Sequence, residues 1–193
     1  MAPSLTLPCD NGSAPQQSPL EIAAEFLRSI GLDVVEQPGA AGFLQGTAIK
    51  QGKLLYDPMK AEASDLLHEA GHLAVLPTRY RSWADDNILQ VQLDMMEEVE
   101  KQSTNDDFDP DAPEIRAVMQ AGECEATAWA FAAGLACGLP DETIIQDHEY
   151  DREGASVRAG LKANCYLGIN GLVHGGMCEN VRAYPTLTRW LQN

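Results

Sequence analysis

The sequence predicts an α+β domain. A small, mostly antiparallel sheet near the N-terminus packs on a helix that carries two histidines, a second helix bearing carboxylates lies beside it, and further helices fill the last third. Two observations carry that expectation. Short β-prone runs, "LDVVEQ" and "FLQGTAIKQGKLLYD", gather before residue 58. Beyond them, the stretches around His68 and after Val118 keep apolar residues at helical spacing or all round. At 193 residues and 45% hydrophobic, the chain can bury one core without disulfides.

Element by element, residues 1–17 are rich in Pro, Ser, Gly and Gln and are expected to form a flexible arm, which leaves 18–193 as one domain. Ser18 caps the first helix, Pro19 suits its first position, and Glu21 completes a capping box. Leu20, Ala23, Ala24, Leu27 and Ile30 form its apolar stripe, and Gly31 ends it. "LDVVEQ" is a short strand, and two more strands flank a Gln51-Gly52 turn. Asp57-Pro58 reads as a helix start, with Met59, Ala63, Leu66, Ala70 and Leu73 in phase until Pro77. An acidic insertion occupies about 78–111. Within it, Ile88, Val91, Met95 and Val99 share one side of a helix. Asp107, Asp109 and Asp111 begin like a calcium loop, but the glycine and closing glutamate of such a loop are missing, so a solvated acidic loop is expected. From Asp111 to Pro140 the chain reads as one long helix, small or apolar nearly all round after Val118. Helical segments with a turn at Gly175-Gly176 follow.

A formal charge of -16 excludes a nucleic-acid binder, since nothing would neutralise phosphates, and suits a basic partner. Five cysteines at irregular spacings, with no C-x-x-C pair, are expected to be reduced thiols. The first twenty residues lack the basic and continuous apolar regions of a secretory signal, and no window approaches the length of a membrane span. The expectation is a cytoplasmic protein.

"HEAGH" at His68–His72 carries the chemistry. Histidines four apart on a helix share a face and reach one ion together. A glutamate directly after the first faces water on that ion, where it can take a proton and later deliver it to a leaving amine. His68 and His72 are therefore candidate zinc ligands and Glu69 the candidate general base. A third ligand is required. Glu123 and Glu125, the two charges on the apolar helix, are both candidates, about 200° apart around it.

"HEAGHLAVLP" followed by "ECEATAWAFAAGLACGLP" resembles the gluzincin zinc peptidases, and within them the ImmA/IrrE metallopeptidase family. Glu123, Glu125, Ala126, Trp129 and Ala130 follow that family's second motif, with Trp129 in place of Phe, over a resemblance spanning about residues 20 to 140. It implies a zincin-like domain, Zn2+ held by His68, His72 and Glu123, and cleavage of a protein or peptide substrate, with a basic protein such as a repressor as a candidate. It also points to a polar residue four positions after Glu123 to orient a ligand histidine, and here Thr127 stands where Asn or Asp is usual. The separation of about 50 residues between His72 and Glu123 marks the acidic segment as an insertion that could gate the cleft or dock a partner.

Cleavage also needs a group for the oxyanion. His174, before two glycines, is the leading candidate, with His148, Tyr150, Tyr80 and Arg81 behind it. The strands ahead of the histidine helix would offer an edge to an extended substrate. The alternative function is a non-catalytic module of gluzincin fold, binding metal or a partner through its acidic surface.

Overall fold

The computed structural model describes residues 17–193. The arm expected over 1–17 and Cys9 thus lie almost wholly outside the described residues.

Among the described residues, ten helical segments and a three-stranded sheet make an α+β architecture. Helix α1 (Pro19–Ser29) starts as the sequence foretells. Ser18 Oγ accepts the Glu21 N–H, and the Glu21 carboxylate accepts the Ser18 N–H at 2.8 Å. Ala23, Ala24 and Leu27 bury its inner face. Strands β1 (Val34–Glu36), β2 (Thr47–Lys50) and β3 (Lys53–Tyr56) follow in the order β1-β3-β2. β2 and β3 form the expected hairpin, with Gln51 and Gly52 both at positive φ, the requirement of a tight two-residue turn. β1 pairs parallel to β3, so the sheet is mixed where a mostly antiparallel one was expected. The reversal arises because the 37–46 segment leads the chain from β1 across to the far side of β3.

The histidine helix, α2 (Ala63–Val75), begins five residues later than Asp57-Pro58 suggested. The Asp57 carboxylate closes a turn instead, accepting the N–H groups of Met59 (2.9 Å) and Gly39 (2.8 Å). α2 is the central helix: within it only Asp65 and His68 are not fully buried. A short α3 (Thr78–Arg81) and a longer α4 (Ile88–Gln102) make the acidic insertion a folded element, and α4 buries the four residues its pattern singled out.

The long helix expected from Asp111 is two: α5 (Pro113–Met119) and α6 (Glu123–Ala136), broken where Gln120 leaves helical geometry and Gly122 is extended. α6 packs along α2, and α7 (Asp141–Ile144) closes one end of the pair. The segment labelled α8 (Glu149–Arg152) is a tight turn with Tyr150, Asp151 and Arg152 all at positive φ. α9 (Gly154–Lys162) and α10 (Leu167–His174) complete the helices, α10 lying against α6. The C-terminal tail crosses back over the helix pair. Trp129 Nε1 donates to the Trp190 carbonyl (2.8 Å), Tyr184 Oη to that of Ala128 (2.8 Å), and the Gln192 N–H to that of Ala74 (2.9 Å). None of the helices among the described residues is long and apolar enough to cross a membrane.

Candidate metal centre

The site exists because α2 and α6 approach closely. At Gly71, one of the two residues between Glu69 and His72, a side-chain carbon would strike the backbone of Ala126, lying 3.0 Å from its carbonyl carbon. Only glycine allows that separation. It brings the first turn of α6 over the histidine face of α2. His68 Nε2 and His72 Nε2 are 3.2 Å apart, and the Glu123 carboxylate reaches them at 3.1 Å and 3.3 Å. Among the described residues these three are the group whose donor atoms, one per residue, lie close enough to share an ion, all within 4.8 Å. Ligands on a tetrahedral zinc with bonds of roughly 2.0–2.1 Å stand about 3.3–3.4 Å from one another. The His68–His72 spacing is close to that edge length, the carboxylate meets the two rings through different oxygens, and two histidines with one carboxylate is a donor set suited to zinc.

The helix break decides between the two glutamates. Because α6 starts at Glu123, that carboxylate sits in the first turn, where the helix dipole favours a negative charge, and 63% of the side chain remains open to the cleft. Glu125, at the third helical position, turns back to lie beside Gly122 and against Gly171 of α10. Its carboxylate is thus directed elsewhere, and Glu123 is the residue delivered to the histidines.

The electrostatics fit a site that holds cations. Hydrogen bonds from His68 and His72 hold the Glu123 carboxyl far below the usual range. Burial disfavours the charged ring of His68, yet the Glu123 carboxylate outweighs it and raises the His68 pKa. Glu69 is 8% exposed; burial pushes its pKa up against the pull of the two histidines.

Two cavities meet at the triad. The larger, about 590 Å³, is lined by Glu69 and all three donors together with Phe43, Asp86 and Leu89. The smaller, about 260 Å³, shares only His68 and Glu123 with it among the site residues and is bounded by Tyr150, Asp65 and Glu149. Glu69 is thus placed as the sequence foretells, beside both ligand histidines and facing the cleft.

His174 is not. It is exposed at the end of α10 and lines neither cavity. His148 is exposed, Tyr80 is buried with its hydroxyl donating to Glu98 (2.6 Å), and Arg81 is spent on the carbonyls of Leu73, Leu76 and Gln192. Of those candidates Tyr150 alone reaches the site. Its hydroxyl is 3.4 Å from His68 Nδ1 and 3.1 Å from Thr127 Oγ1. Thr127 therefore orients no histidine directly, as the resemblance implied, but anchors the tyrosine that does. His72 Nδ1 is buried without a partner. Burial keeps the Tyr150 phenol protonated at neutral pH, so it remains a donor.

The sheet edge also departs from expectation. The outward N–H of Ile49 on β2 is taken by Asp86 Oδ1 (2.8 Å), and its carbonyl accepts the Asp86 N–H (2.9 Å). Asp86 adopts φ +47 to do so and also pairs with Lys50. The edge is capped there. No periodicity marked Asp86, Leu44 or Asp65 as site residues, because each enters through a turn or through the third dimension.

An α+β fold with a His68–His72–Glu123 group able to hold a metal ion is thus what this chain presents. No family model, no curated protein and no solved structure matches it.

Proposed function

We propose that the protein is a zinc-dependent peptidase with a zincin-like domain of the gluzincin kind, akin to the ImmA/IrrE family, acting on a protein or peptide substrate. One observation carries the reading: two histidine nitrogens and a carboxylate converge, close enough to share an ion, on a cleft that Glu69 also lines. A structural site has no use for the fourth group. A zinc ion held by His68, His72 and Glu123 would supply a Lewis acid for a peptide carbonyl and for water. Glu69 accepts a proton from the attacking water and passes it to the leaving amine. Tyr150, which lines the smaller cavity beside His68, takes the place sought for His174 as the candidate donor to the oxyanion. The acidic surface suits a basic protein substrate such as a repressor.

Elemental analysis of protein purified without chelators or a tag tests the first half. About one zinc per chain, lost in Glu123→Ala and kept in Glu125→Ala, is expected. Digestion of a random peptide pool tests the second: Glu69→Gln should retain zinc and lose cleavage. Zinc without cleavage by the unaltered chain would favour the non-catalytic module instead.

A further inference from the structure

We propose that the smaller cavity is the specificity pocket of the site and takes a lysine or arginine side chain of the substrate. The inference deepens the peptidase reading and rests on it. An acidic cluster alone would say nothing; here two carboxylates stand inside a bounded cavity that opens directly on the metal donors. Its walls are Leu44, Ala130, Ile144 and Ile145, which suit the methylene stem of a long basic side chain. Asp65 and Glu149 supply the charge for its head. Neither has a cationic partner among the described residues. Glu149 accepts only the Gln146 N–H (2.9 Å), and no donor reaches Asp65. The further charges acting on Asp65 are those of Glu149, Glu62 and Glu69, all negative, with His68 alone opposing. That pocket holds an excess of negative charge for which no lysine or arginine among the described residues is a partner.

Among the described residues Asp65 and Glu149 belong to no group of three or more donors that could hold a metal ion, so the occupant proposed is a side chain. The wall is also built to stay put. The Arg158 guanidinium holds the Ile145 carbonyl and the Asp147 carboxylate, and Gln146 hydrogen-bonds Ser64 (3.3 Å) and Glu62 across to α2. Preformed walls of this kind select a side chain rather than adapt to any.

Affinity selection separates this inference from the peptidase reading. Zinc-loaded Glu69→Gln protein, immobilised, is presented with a random hexapeptide pool, and the retained peptides are sequenced. Lysine and arginine should be enriched about tenfold at one position, the effect of one partly desolvated charge pair. Adding Asp65→Asn and Glu149→Gln should remove the enrichment. Adding Asp107→Asn and Asp109→Asn instead, an equal change in net charge on a distant loop, should keep it. No enrichment, or enrichment lost equally in both, would overturn the pocket, since the -16 charge of the whole chain would then explain any attraction. Digestion of the same pool by unaltered protein is scored apart: enrichment without cleavage sinks the peptidase and leaves the pocket, and cleavage without basic preference does the reverse.

Discussion

Replacing Gly71 by alanine tests whether the helix crossing sets the metal site. The new methyl carbon would lie 3.0 Å from the Ala126 carbonyl carbon and 3.1 Å from its Cα, and would overlap its oxygen. Carbon atoms rest at about 3.5–4.0 Å, so α6 must retreat from α2 by about 0.5–1 Å. Overpacking of that size costs about 1–3 kcal/mol of stability. The effect on metal should be larger in proportion. Ligand distances must hold within about 0.2 Å, and Glu123 rides on the helix that moves while His68 and His72 do not. A loss of about 100-fold in zinc affinity is expected, against a fold that still unfolds cooperatively. Chelator competition measures the first and urea unfolding of the metal-free protein the second. Unchanged zinc affinity alongside the expected loss of stability would show that the donors do not depend on the crossing, and the account of the site would be wrong.

Removing the phenol with Tyr150→Phe should lower kcat about 10- to 100-fold with KM little changed, read from steady-state kinetics on a cleaved peptide; an equal rise in KM would point to substrate binding instead. Asp65→Asn should stabilise the metal-free protein. Its carboxyl, pushed from 3.8 up to about 6 by burial and then by Glu149, holds a proton in the folded state that the unfolded state releases, so its ionisation costs stability above about pH 6 and the cost fades toward pH 4. The full shift is worth about 3 kcal/mol, and partial exposure reduces it to about 1–2, measurable as a gain in urea midpoint at pH 8 that shrinks with acidification. Asp86→Gly should free the Ile49 edge and relieve a positive φ, lowering KM for extended peptides several-fold without changing kcat; an unaltered KM would mean that the edge is not used.

Much of the scaffold was legible because its signals are local. The Ser18–Glu21 box, the Gln51-Gly52 turn and the apolar stripe of α4 each depend on residues a few positions apart, and each formed as read. The reading failed where a local signal has two uses. Asp-Pro can cap a helix or close a turn, and Gly39, eighteen residues away, claimed the Asp57 carboxylate for the turn. The break between α5 and α6 left no trace in the apolar pattern, since small residues run through it. It shows only in space, where Gln120 and Gly122 leave helical geometry and α6 starts over the histidine face of α2. The pairing of His68 with His72 beside Glu69 was legible from spacing, Glu123 only as one of two candidates, and the approach of Tyr150 to His68 only as one of five, because a side chain arriving from an irregular turn has no period to reveal it.

The costly features of this chain are not scattered. Gln51 and Asn164 also adopt positive φ, but one turns a hairpin and the other ends α9, where such geometry is ordinary. The remaining cases are Asp86, which lines the larger cavity at the triad, and the run from Tyr150 to Arg152, whose first residue lines the smaller. Three consecutive left-handed residues cost about 1–2 kcal/mol each and place one hydroxyl beside His68. Asp65, the carboxyl whose charge is most opposed by its surroundings among those lining the smaller cavity, adds its own penalty there. A module that only held a zinc ion would need three donors and a close helix crossing, and all of these costs could be removed from it without loss. Their concentration on the cleft is what a site under demand for catalysis and selection would show, which is why Asp65→Asn should gain stability while it loses the basic preference of the pocket.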